Sequence, residues 1–81
     1  MNRLKVLVVD DEPDIRLELD DFIQELDFEC VLASNGEEGL SLFKADETIH
    51  IVLSDLTMPG MTGLQLLERI VKDPGTQQRI R

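Results

Sequence analysis

The chain has 81 residues, enough for one small domain with a thin core. Seventeen Asp and Glu against eight Lys and Arg leave a net charge of -9; that excludes the basic stripe a nucleic-acid surface needs and suits recruitment of a cation. The lone Cys30 excludes an intramolecular disulfide, and no apolar run has the length of a membrane-crossing helix or the pattern of a signal peptide, so a cytoplasmic protein with no membrane contact is expected.

The first apolar run, Leu4 to Val9, has no polar residue after Lys5 and no strict alternation. It reads as a strand covered on both faces, as in a parallel sheet. A helix signal follows. Asp11 or Glu12 can cap it, Pro13 suits its first turn, and Asp14 suits its dipole. Ile15, Leu19, Phe22, Ile23 and Leu26 fall on one stripe of a 3.6-residue period, and Ile15 and Leu19 read as core. Glu18, Asp20, Asp21, Glu25, Asp27 and Glu29 read as its solvated side and exit.

Cys30 to Ala33 reads as a second strand, with Cys30 a buried inert thiol. Asn35-Gly36 resembles a hairpin turn, but Ser34 and Asn35 stand three residues before Glu37 and Glu38. That spacing favours a capped helix carrying Leu40 and Phe43. Gly39 should weaken this helix by about 1 kcal/mol relative to Ala. Ile49 to Ser54 is the third strand. Met58-Pro59-Gly60 and Thr62-Gly63 punctuate a loop, and Leu64, Leu67, Ile70 and Val71 mark a third helix that Asp73-Pro74-Gly75 ends.

The order βαβαβα implies an α/β fold with a parallel sheet and right-handed crossovers. Strand order is not fixed by alternation alone. If strand 1 lies between strands 2 and 3, then Asp10, Asp11 and Asp55 gather at one carboxyl edge, where such sheets bind ligands. Two carboxylates about 5 Å apart repel by roughly 3 kcal/mol at an effective dielectric near 20. A small domain has only about 5 kcal/mol of net stability. Helix caps explain one or two of Asp10, Asp11 and Glu12, but Asp55 opens no helix directly. A hard cation such as Mg²⁺ removes the repulsion, and a carboxylate beside it can attack phosphorus.

Other acid chemistries fit less well. An EF-hand counted from Asp10 would need glycine where Ile15 stands. No Gly-rich phosphate loop and no Cys/His cluster is present. His50, alone at a strand start, reads as structural and leaves no credible Ser-His-Asp set. A phosphatase with Asp-x-Asp after strand 1 would need an Asp where Glu12 stands.

The stretches "VLVVDDEPDIR", "SNGEEGL" and "IVLSDLTMPGMTGLQLLERI" together resemble the receiver domain of two-component response regulators, from Leu4 to about Pro74. The resemblance implies a flavodoxin-like sheet of strand order 2-1-3 and a phosphoryl group accepted on Asp55 from a sensor histidine kinase or phosphotransfer protein. It implies Mg²⁺ held by Asp11, Asp55 and the backbone carbonyl of Thr57, with Asp10 acting through a metal-bound water. Pro59 and Gly60 would shape the adjoining loop, and the first helix would meet the kinase. The chemistry would be stoichiometric acceptance with slow self-hydrolysis, not turnover by an enzyme.

The family's domain carries two further β/α units, which supply a switch Ser or Thr and a Lys that pairs with the phosphoryl group. Residues 1–81 read as a receiver truncated after its third unit, with neither group assignable; Lys5, Lys44 and Lys72 stand in the wrong places. Two expectations follow: impaired phosphoryl transfer, and self-association through an exposed strand 3 edge. The competing reading is a pseudo-receiver that binds partners without being phosphorylated.

Overall fold

The computed structural model describes residues 3–55 and 60–74. Three parallel strands, β1 (Lys5–Val9), β2 (Glu29–Ala33) and β3 (Ile51–Ser54), form one sheet in the order β2-β1-β3. Helices α1 (Pro13–Glu25), α2 (Gly36–Ala45) and α3 (Gly63–Lys72) connect or follow them. The expected α/β architecture and strand order are therefore present.

Burial of β1 on both faces explains its unbroken apolar sequence. Val6 and Val8 pack with Ile23 of α1 on one side, with Leu19, Phe28, Cys30 and Leu32 around them. Leu7 and Val9 pack on the other side with Ala33, Phe43, Ile49, Met61, Leu66 and Ile70. The sheet is thus sandwiched, with α1 on one face and α2 and α3 on the other.

The α1 stripe is narrower than its periodicity suggests. Ile23 is buried and Leu19 half-buried, whereas Ile15, Phe22 and Leu26 are 45%, 59% and 50% exposed. The core role expected of Ile15 is therefore wrong: only the i, i+4 pair Leu19 and Ile23 meets the sheet. In α3 the buried line is Gly63, Leu66 and Ile70, while Leu64, Leu67 and Val71 face outward. On β3, Ile51 and Leu53 are also partly exposed, on the α1 side of the sheet.

Each helix end has a local cause. Helix α1 stops in a Schellman arrangement: the Phe28 N–H donates to the Ile23 carbonyl (3.3 Å) and the Asp27 N–H to the Gln24 carbonyl (2.9 Å). Asp27 supplies the left-handed residue this requires, at φ 65°. Asn35 caps α2, its side chain accepting from the Glu38 N–H at 2.8 Å, so the Asn-Gly pair opens a helix and not a hairpin. Thr62 and Gln65 form a reciprocal capping box on α3.

Candidate functional site

The register of β1 and β3 sets the site. Val9 pairs with Ser54, so the next residues, Asp10 and Asp55, leave the sheet side by side. The Asp10 N–H donates to the Ala33 carbonyl and the Asp55 N–H to the Val9 carbonyl, both at 3.1 Å. These bonds extend the sheet pairing to the level of the acids. One carboxylate oxygen each from Asp10, Asp11 and Asp55 lies within 4.8 Å of the other two.

Asp10 is 6% exposed, the one buried charged residue among those described, while Asp11 and Asp55 are half-buried. Its Oδ1 accepts the Glu12 N–H at 2.9 Å, an Asx-type turn that leads the chain into α1. The expected caps from Asp11 or Glu12 are not what satisfies this end. Glu12 occupies the cap position without a side-chain bond, and Asp10 takes up only the N–H of that cap residue. The Asp10 carbonyl in turn accepts from Arg16 Nη1 at 2.7 Å.

A cleft of about 390 Å³ opens beside the acids, lined by Asp11, Ser34, Asn35, Gly36, Glu37, Gly60 and Met61. Its wall is tight: a Cβ added to Gly36 would fall 2.8 Å from Met61 Cβ. Glu38 Oε1 accepts from the Ser34 N–H and hydroxyl, at 2.6 and 2.9 Å. The Ser34 N–H and then its hydroxyl hold the Glu38 carboxyl below its ordinary range, and the Arg16 charge adds a smaller push the same way. Gly60 sits at φ +83°, in the left-handed region that favours glycine. Thr57 and Pro59 lie outside the described residues.

The donor set fits a hard cation. Three carboxylates converge, with no nitrogen or sulfur ligand in the group, which suits Mg²⁺ over zinc. Mutual repulsion also gives the cluster a reason to hold a cation, because Asp10 has little solvent to screen it.

The other polar residues singled out from the sequence lie elsewhere. His50 Nδ1 accepts the Lys5 N–H at 3.2 Å, at the opposite end of β1. There Lys5 Nζ bonds Asp46 at 2.9 Å, with Glu29 at 3.9 Å. Lys44 pairs with Asp73 and Lys72 with Glu68, so no lysine is placed beside the acids among the described residues. Cys30 is half-buried; burial, then the neighbouring Asp20, pushes its thiol up to about 11, as befits an inert side chain. Sequence reasoning missed Arg16, and took Ser34 and Glu38 only as part of a helix-capping signal. The only signal was position: Arg16 stands one helical turn beyond Glu12, and Ser34 ends β2 as Asp10 ends β1.

A parallel sheet with acids gathered at its carboxyl edge belongs to the open α/β domains that bind ligands at that edge. The response regulator receiver domain model matches residues 6–80, and the chain belongs to that family. It is 35% identical over 77 residues to a probable chemotaxis protein CheY of Rhizobium etli, covering 94% of this chain and 59% of that protein. It is 46% identical over 70 residues to the positive alginate biosynthesis regulatory protein of Pseudomonas aeruginosa, covering 83% of this chain and 28% of that one. Among solved structures, the response regulator TrrA of Thermotoga maritima, in complex with Mg²⁺-BeF, superposes with a TM-score of 0.83 at 40% identity, over 89% of this chain and 62% of that one. The chain thus spans less than two thirds of these relatives. No helix among the described residues is long and apolar enough to cross a membrane.

Proposed function

We propose that Asp55 accepts a phosphoryl group from the phosphohistidine of a sensor histidine kinase or phosphotransfer protein, in two-component signalling. An Asp55 carboxylate oxygen attacks phosphorus; the O–P bond forms as the N–P bond breaks, and the electron pair stays on the imidazole nitrogen, which then takes a proton. The observation that carries this reading is the convergence of Asp10, Asp11 and Asp55 at one sheet edge. The complex with Mg²⁺-BeF described for TrrA supports it by analogy. Asp11, Asp55 and the Thr57 carbonyl would hold Mg²⁺, and Asp10 would act through a water on it. Bound Mg²⁺ would cancel the negative charge that repels an incoming phosphoryl group.

The protein is in this reading a stoichiometric acceptor working in the cytoplasm. Transfer to these 81 residues alone is slowed, because no lysine stands beside the acids among those described. That same observation favours the second reading, a pseudo-receiver that acts by binding. β3 is an outer strand of the described sheet and carries the exposed Ile51 and Leu53 on its α1-side face, which supports self-association along it; sedimentation at rising concentration reads this directly.

Incubation with a small-molecule phosphoryl donor decides between acceptor and pseudo-receiver. The acceptor reading expects a Mg²⁺-dependent mass gain of one phosphoryl group, labile to hydroxylamine and absent from Asp55→Asn. A chain left unmodified at saturating donor and Mg²⁺ contradicts it.

A further inference from the structure

The side chain of Arg16 reaches back from α1 to the turn that carries two of the three acids. Its Nη1 donates to the Asp10 carbonyl at 2.7 Å, while its own backbone N–H donates to the Glu12 carbonyl at 2.9 Å. Between those contacts the Glu12 N–H holds Asp10 Oδ1 at 2.9 Å. The segment Asp10-Asp11-Glu12 is therefore tied at both ends to one residue. Arg16 is half-buried, so its guanidinium is partly shielded from competing water. Its charge also helps to lower the Glu38 carboxyl, which itself fastens Ser34 on the other wall of the cleft.

We propose that Arg16 is a positioning residue: it fixes the Asp10–Glu12 turn so that the Asp10 and Asp11 carboxylates are preorganised beside Asp55 for a divalent cation. This rests on the proposed cation site, but its sign is opposite to the simplest electrostatic expectation. A positive charge near a cation site opposes binding, so removing Arg16 as a mere charge would tighten the site. Removing it as a fastener loosens the ligands, and outer partners of metal ligands commonly matter by about tenfold or more in affinity. Arginine suits the task because its planar fork holds a carbonyl with little loss of freedom.

The test uses the full 81-residue chain, with Mg²⁺ binding measured by calorimetry. Arg16→Met keeps the aliphatic stem and removes donor and charge; it is expected to weaken Mg²⁺ binding about tenfold. Arg16→Lys, which restores a donor, should return to within about threefold of the parent. Unchanged or tighter binding in Arg16→Met overturns the proposal; if that variant does not fold, Arg16→Leu, which also lacks donor and charge, carries the same comparison. A second readout needs no metal. Amide hydrogen exchange at Glu12 should accelerate about tenfold in Arg16→Met relative to amides within α2, and an unaltered rate overturns the proposal equally. A parent chain that binds no Mg²⁺ refutes the cation site and the affinity part of this inference, and the exchange rate then judges the fastening alone.

Discussion

A Cβ placed on Gly39 would lie 2.7 Å from Cγ2 of Val9, so α2 rests on β1 at a distance only glycine permits there. Val9 is fully buried and immediately precedes Asp10. The helix-weakening glycine of the sequence is therefore a packing residue next to the acid edge. Gly39→Ala gains about 1 kcal/mol of helix propensity but forces the helix off the strand, at about 1–3 kcal/mol. The expected net effect is destabilisation in urea unfolding, with a lower midpoint at unchanged slope. A higher midpoint would show that the helix shifts freely.

Asp27 gives the opposite case. It holds the left-handed position after α1 at φ 65°, and its ion pair with Arg3 is long (3.8 Å) and exposed. Asp27→Gly keeps the Schellman bonds and relieves the backbone. It should stabilise the fold by about 0.5–1 kcal/mol, read as a raised melting temperature.

The amino end of the sheet carries its own pH response. The Thr48 hydroxyl, then Lys5, hold the Asp46 carboxyl well below the usual carboxylate range, and Asp46 raises Lys5 in turn. A lowered folded-state value means that Asp46 contributes stability above its unfolded value, near 3.9. That contribution disappears as pH falls through the lower folded value. Asp46→Asn should melt below the parent at pH 7, and the gap should close on acidification from about pH 5 downward. The raised Lys5 value acts at the other extreme: its contribution is complete below about pH 10.4 and fades as pH climbs past the folded value. A gap between parent and Asp46→Asn that widens in acid would contradict this assignment.

At the opposite edge, charge works against the fold. Asp10 is nearly excluded from solvent beside two other carboxylates. Asp10→Asn keeps an oxygen for the Glu12 N–H and removes one negative charge. Without divalent ions it should stabilise the chain by about 1–2 kcal/mol, after solvent screening of the bare Coulomb repulsion. Addition of millimolar Mg²⁺ should then raise the melting temperature of the parent far more than that of the variant. Thermal scans with and without Mg²⁺ check both halves.

The sequence carried the strand order through the family resemblance and the acids through their positions at two strand ends. It did not show which helical residues meet the sheet. In α3, Gly63, Leu66 and Ile70 form one i, i+3, i+7 line and Leu64, Leu67 and Val71 form the line beside it. Periodicity cannot choose between adjacent apolar lines; the packing of α3 beside α2, with Leu66 and Ile70 against Leu7, Val9 and Phe43, does. In α1 five apolar residues span a wider arc than one helix can press on a flat surface, so Ile15, Phe22 and Leu26 remain outside. The cleft wall was hidden for a different reason. Gly36 against Met61 depends on how α2 and the residues just before α3 meet in space, which local pattern does not encode; Ser34 with Glu38 is by contrast a local i, i+4 contact at the start of α2.

Mg²⁺ titration followed residue by residue in backbone amide NMR tests the central claim most directly. Saturable shifts should concentrate at Asp10, Asp11, Glu12 and Asp55, with Lys5 and His50 at the far end of β1 unmoved. Shifts spread along the acidic face of α1, or none at Asp55 when Asp10 and Asp11 respond, would contradict a shared cation site.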